Sequence, residues 1–145
     1  MSVERTASVA WQGEVKTGSG TVTMESSGAF GPYGVSFPSR AGEPEGQTSP
    51  EELIAAAHAS CFSMALSSAL GSNGTAPEHL DVSATVTFSM DGGPHISEVV
   101  LRVRGQVPGV DAETFRSFAE QAKDGCPVSK LVAGNVTVSL DAALA

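Results

Sequence analysis

The chain of 145 residues contains only two cysteines, and they stand in very different settings. Cys61 lies in the small, apolar stretch SPEELIAAAHASCFSM, three residues after His58, and Cys126 lies in DGCPVSK. A cysteine does chemistry as its thiolate, so each is judged by what could hold negative charge beside it. Cys126 follows Gly125, a helix-ending residue, and precedes Pro127, a good first residue of a helix. That places its sulfur near a helix start, where free N–H groups and the helix dipole favour an anion. A small residue at a tight corner is the competing reading. Cys61, buried among apolar side chains, would have a raised pKa and be inert unless a cation stood beside it. Free cysteines also commonly pack as small hydrophobes. His58 shares the helix face of Cys61, and Arg40 is the other cation near it in sequence.

Several chemistries compete for these residues. His58 and Cys61 could form half a metal site, but no CxxC or HxxxH pair supplies the other half. They could also form the Cys–His pair of a cysteine hydrolase, which would leave Cys126 without a role. A serine hydrolase would need a G-x-S-x-G elbow, and nucleotide cofactors would need a phosphate-binding glycine motif; neither occurs. His79 precedes a strand and His95 follows a turn, so both are expected to be solvated.

The elements that must position these groups follow from periodicity and turn chemistry. Ser49 is the expected N-cap of a long helix, Pro50 suits its first position, and Glu52 completes an S-x-x-E capping box. The helix should run to about Leu70, with Gly71 and Gly74 supplying its end. It is apolar nearly all round and rich in Ala and Ser, so it is expected to be buried on most sides and closely packed. Before it, RTASVAWQG, SGTVTMESSG and YGVSF read as three strands, and PSRAGEPEGQTS reads as a loop carrying Arg40. After it, LDVSATVTFSM alternates Val82, Ala84, Val86, Phe88 and Met90 with Ser and Thr, the pattern of a half-buried antiparallel strand. DGGP turns into a partner strand with Val99, Leu101 and Val103 on one face. Asp111 is the expected cap of a second helix with Phe115, Phe118, Ala119 and Ala122 inward and Gly125 as its stop. CPVSKLVAG is a short turn or helix, and NVTVSLDA a last strand. The order βββ-α-ββ-α-β gives the α+β class and, on size grounds, a single domain over residues 1–145.

Composition narrows the function classes. A net charge of −8 argues against nucleic acid as a partner, because phosphate neutralisation needs clustered Lys and Arg. The first residues, MSVERTASVAWQG, lack an apolar run, and the most apolar segment carries a His and several serines, so no membrane span is expected. A cytoplasmic location follows, where thiols are kept reduced and two cysteines are reactive or buried rather than a permanent cross-link.

Read together, SPEELIAAAHASCFSMALS and GCPVSK resemble the OsmC/Ohr family of thiol-dependent peroxidases. The likeness extends to ASVAWQGEVKTGSGTVTMESSG and VPGVDAETF. It is closer to the OsmC branch, whose key arginine lies in the loop before the helix, where Arg40 stands; no Arg occurs between Gly13 and Ser39. The resemblance implies an OsmC-like fold of antiparallel sheets around a long central helix, in an intertwined homodimer. It implies that Cys61 reduces the peroxide, Cys126 resolves the sulfenic acid as a disulfide, Arg40 activates Cys61 and the peroxide, and Glu51 orients Arg40. Glu43 and Glu45 could compete for Arg40 if they face inward. The implied substrates are organic hydroperoxides and hydrogen peroxide. The implied reductant is a dithiol, notably a protein-bound dihydrolipoyl group, with no bound cofactor or metal. An Arg fork beside a buried sulfur favours the thiolate and can donate to peroxide oxygens, and apolar surroundings suit a hydroperoxide tail.

Helix geometry adds a constraint. Glu51 and Cys61 are ten positions apart, about 15 Å along a straight helix and on different faces. If both serve one site, a second copy of the helix must bring Glu51, with its Arg40, to Cys61 and Cys126 of the first, giving an obligate two-fold dimer. A noncatalytic dimer whose thiols sense redox state or simply pack is the alternative from another class, and a hydrolase on Cys61 and His58 is a third.

Overall fold

The computed structural model describes Met1–Ala145, and the chain forms two compact units, Met1–Leu53 and Ile54–Ala145. In the first, alternation builds a three-stranded antiparallel sheet in the order β1 (Ser8–Gln12), β2 (Ser19–Thr23), β3 (Tyr33–Val35). Val22 is its buried hydrophobic residue, paired with Val9. Gly20 is paired with Trp11, and a Cβ there would stand 2.9 Å from the indole Cε3, so the absent side chain makes room for the ring.

The segment expected as a loop around Arg40 is in part helical. After β3, α1 (Phe37–Ala41) is capped by Ser36, whose Oγ accepts the Ser39 N–H at 3.2 Å. Arg40 therefore sits in the last turn of a short helix. Five residues are too few for a 3.6-residue pattern to show, which is why only the cap and Pro38 mark it. A bridge between Val35 and Thr48 then returns the chain to the start of α2 (Pro50–Ser72).

The expected Ser49 cap of α2 forms, with Ser49 Oγ accepting the Glu52 N–H at 3.1 Å. The other half of the capping box is replaced, since the Glu52 carboxylate takes the Thr48 hydroxyl at 2.8 Å. The helix runs past Leu70 and contains Gly71. It ends in a Schellman motif, with Gly74 at φ +79° and the Thr75 N–H donating back to the Leu70 carbonyl at 3.0 Å.

The second unit packs α2 from Ile54 onward with a three-stranded sheet and two helices. The sheet order is β4 (His79–Ser89), β5 (His95–Gln106), β6 (Thr137–Leu144). β4 and β5 are antiparallel, as expected, but β6 runs parallel to β5, so the sheets are not all antiparallel. The cause is the crossover through α3 (Ala112–Gly125) and α4 (Pro127–Val132), a connection long enough to return the chain in the same direction. Asp111 caps α3 by accepting the Thr114 N–H at 2.8 Å. Phe115, Ala119 and Ala122 of α3 join Phe62, Leu66 and Leu70 of α2 and Leu101 and Val103 of β5 in one core. Each large side chain buried there is worth about 1.5–3 kcal/mol.

Gly105 in β5 is fitted to that core: a Cβ would lie 2.7 Å from Phe115 Cζ and 3.2 Å from Leu80 Cδ2. Gly105→Ala should lower unfolding free energy by about 1–3 kcal/mol through overpacking, read as a lower urea midpoint with unchanged slope. An unchanged midpoint would show that the ring has room to move.

The long helix departs from expectation in its burial. Only a stripe of four-residue steps, His58, Phe62, Leu66 and Leu70, is fully buried, while Ala56, Ala57, Ser60, Met64, Ser67 and Ser68 are exposed. By length and composition alone α2 is apolar enough to cross a membrane, as many core helices of folded proteins are. The Ser60 and Ser63 hydroxyls donate to the Ala56 and Ala59 carbonyls at 2.6 and 2.7 Å and so are satisfied by the helix's own backbone. The buried stripe packs against β5 and α3 residues as a core helix does.

Candidate active site

Two constellations form, one in each unit. In the first unit the Arg40 guanidinium forks onto the Glu51 carboxylate. Nε donates to both carboxylate oxygens at 3.1 Å and Nη2 to Oε1 at 2.7 Å. Glu51 opens α2 among the first-turn N–H groups, where a carboxylate is favoured, and its side chain is only 9% exposed against 30% for Arg40. A buried carboxylate that holds a partly exposed guanidinium in a two-point grip fixes its plane. Glu43 and Glu45 are both exposed, so the buried carboxylate at Arg40 is that of Glu51.

The same unit carries a cavity of about 410 Å³. Its wall is apolar, with Val9, Trp11, Val22, Phe37 and Leu53, and its one charged lining residue is Arg40. An apolar pocket with a single oriented cation suits a molecule with a greasy tail and a polar oxygen end.

In the second unit the two thiols act on one another. Both are free, Cys126 fully buried and Cys61 partly. Cys126 ends α3, its N–H donating to the Ala122 carbonyl at 2.9 Å, and also stands at the N-cap of α4, its carbonyl accepting the Lys130 N–H at 3.0 Å. Burial pushes the Cys126 thiol up, but it is outweighed: the Cys61 thiol, the N–H groups of Ser129 and Val128 and the Ser129 hydroxyl face its sulfur and hold it below its ordinary value. Cys61 is pushed up, first by burial and then by giving its hydrogen to Cys126, with a smaller opposing pull from the Val128 N–H. Within its own unit the groups acting on Cys61 include no cation, so the negative charge of the pair rests more easily on Cys126. The expected helix-start setting of Cys126 is therefore present. The expected cation at Cys61 is not among its unit's own groups.

His58 is completely buried, its Nε2 lies 2.7 Å from Ser129 Oγ, and its Nδ1 has no partner. Burial lowers its pKa and so favours the neutral ring. With one nitrogen engaged by Ser129 and the other unpaired, His58 does not form the ion pair with Cys61 that a cysteine hydrolase would need. His79 and His95 are exposed, as expected, with His79 beside Asp81 and His95 Nδ1 beside the Gly93 carbonyl. Ser129 is the residue that sequence reasoning missed. Its only signal was its place three residues after Cys126, the N3 position of a helix capped by a thiol.

Known proteins resemble the chain over nearly its whole length. The family model described as OsmC-like protein matches residues 42–141. The chain is 43% identical to Peroxiredoxin OsmC of Escherichia coli over 141 residues, covering 95% of the chain and 96% of the relative. Its fold is similar to that of an organic hydroperoxide resistance protein from Elizabethkingia anophelis, with a TM-score of 0.77, 27% identity and full coverage of both chains, 100% each. It is also similar to the organic hydroperoxide resistance protein OhrB of Bacillus subtilis, with a TM-score of 0.73 and 28% identity over 94% of the chain and 97% of that structure.

Proposed function

The chain belongs to the OsmC-like protein family and is a thiol-dependent peroxidase, and we propose that it reduces organic hydroperoxides with Cys61 as the attacking thiol and Cys126 as the resolving one. The observation that carries this reading is the pair of free thiols acting on each other across α2 and the start of α4. Family membership sets aside the noncatalytic reading.

In the first step the Cys61 thiolate attacks one oxygen of the hydroperoxide. An S–O bond forms, the O–O bond breaks, and the alkoxide leaves with a proton as the alcohol, so the sulfur becomes a sulfenic acid. Arg40, its plane set by Glu51, favours the thiolate and donates to the peroxide oxygens. The apolar cavity beside Arg40 takes the organic tail. Cys126 then closes a disulfide with Cys61, and a dithiol, for which a protein-bound dihydrolipoyl group is the natural class, reduces it by exchange.

The cation comes from a second copy. Ten positions of sequence separate Glu51 from Cys61, which on any straight helix is about 15 Å, and the groups acting on Cys61 in its own unit lack a positive charge. The exposed face of α2, with Ala56, Ala57, Ser60 and Met64, offers small side chains for close packing against a second helix. A two-fold homodimer would thus join Cys61 and Cys126 of one copy to Arg40 and Glu51 of the other, twice. Such a protein works in a reducing compartment, the cytoplasm, where dithiols regenerate it.

The test is stoichiometric. A single equivalent of cumene or tert-butyl hydroperoxide should convert both thiols to one intramolecular disulfide, seen as a peptide linking Cys61 and Cys126 by mass spectrometry. Two thiols still titratable after peroxide is consumed would overturn the pairing.

A further inference from the structure

The peroxidase reading leaves one buried titratable side chain without a role. His58 is 0% exposed, and Ser129, 71 positions away in sequence, is its hydrogen-bond partner at 2.7 Å. Burying an imidazole costs free energy that a Leu or Phe at this place in the stripe with Phe62 and Leu66 would not. The direction of the bond follows from the other nitrogen. Nδ1 has no partner. An orphaned buried N–H is costlier than an orphaned lone pair, so the hydrogen of the neutral ring sits on Nε2 and Nδ1 is bare. Nε2–H then donates, and Ser129 Oγ accepts.

That leaves the single hydroxyl hydrogen of Ser129 to be donated elsewhere. Ser129 occupies N3 of α4, with Cys126 at its N-cap, and the hydroxyl faces the Cys126 sulfur. We infer that His58 and Ser129 are positioning residues for the resolving thiol: His58 Nε2–H fixes the Ser129 hydroxyl, which donates to Cys126 Sγ and readies that sulfur to close the disulfide. The inference rests on the thiol pair of the proposed function. In the step it serves, Cys126 Sγ attacks Cys61 Sγ of the sulfenic acid, the S–S bond forms and the S–O bond breaks. The proton given up by Cys126 leaves with the hydroxide as water. His58 and Ser129 exchange no electrons and change no bond.

Other charged groups near Ser129 are the same in every variant below. Lys123, Asp124 and Lys130 line a cavity of about 300 Å³ with it, and Lys123 is held by Glu120 at 2.8 Å.

The test follows thiolate absorbance in the ultraviolet through a pH titration of Cys61→Ser protein, in which Cys126 is the one thiol left. Adding Ser129→Ala should move the midpoint up by about one pH unit, a tenfold loss of thiolate equal to one hydrogen bond to a charged group. Ser129→Thr keeps the hydroxyl and should leave the midpoint within a few tenths. His58→Gln keeps a donor near the Nε2 position and should do the same, whereas His58→Leu should match Ser129→Ala. In protein with both thiols, Ser129→Ala should slow disulfide closure about tenfold after peroxide, and Ser129→Thr should restore it. An unmoved midpoint in Ser129→Ala, or an equal rise in Ser129→Thr, would overturn the inference. Failure of the parent chain to form a disulfide would instead overturn the thiol pairing, and the titration, which uses no peroxide, would still decide the arrangement of His58 and Ser129.

Discussion

Replacing Cys61 by Ser should cost a thousandfold or more in hydroperoxide consumption, on the order seen when an enzyme loses its nucleophile. A serine hydroxyl in that place is not ionised and has no accessible sulfenic state, so nothing can accept the peroxide oxygen. Cys126→Ser should behave differently. It should consume one equivalent of peroxide per site and then stop, with Cys61 held as a sulfenic acid or driven to higher oxides in excess peroxide. The contrast matters because the single protomer places negative charge more easily on Cys126 than on Cys61. If Cys126 were the attacking thiol, the two variants would exchange phenotypes. Mass spectrometry of each variant after one equivalent of peroxide separates the assignments, since the oxidised residue is read directly.

The second large effect is complementation between inactive chains. Cys61→Ser and Glu51→Ala should each abolish turnover as homodimers, the second because Arg40 loses the carboxylate that grips it at three donor–acceptor contacts of 2.7–3.1 Å. In a heterodimer of the two, one site would lack both residues and the other would be wild type. Purified heterodimers, made by co-expression with two affinity tags, should therefore recover about half the wild-type activity per dimer. If Glu51 serves its own chain, every site in the heterodimer lacks something, and no activity returns. A monomer by light scattering would sink the shared site at once.

Much of the fold was legible from sequence because it is built on local signals. Ser49 and Asp111 cap their helices where the pattern puts them, and Val99, Leu101 and Val103 form the buried face of β5. Arg40 with Glu51 and Cys61 near Cys126 came from the family resemblance, and each pair is in contact within its unit. What stayed hidden is what local pattern does not encode. Alternation in β6 fixes which side chains share a face but not strand direction, so the parallel pairing with β5 was invisible. The helix α1 is too short to be periodic. The uniform apolarity of α2 states that the helix is to be covered and not by what, and one protomer covers only the stripe from His58 to Leu70. Ser129 meets His58 across a separation that no motif spans.

Cys126 closes one helix with its N–H and opens the next with its carbonyl. Both of its backbone groups are thus committed, and the sulfur retains little freedom beyond rotation about its own Cα–Cβ bond. An oxidised Cys61 would meet a partner whose search has been completed in advance by folding. The measure of that advantage is an effective concentration: well-oriented intramolecular partners reach values on the order of 10⁵ M or more, far above any free thiol in solution. A diffusing thiol would therefore lose the race for the sulfenic acid, and this joint between two helices would keep each turnover inside the protein.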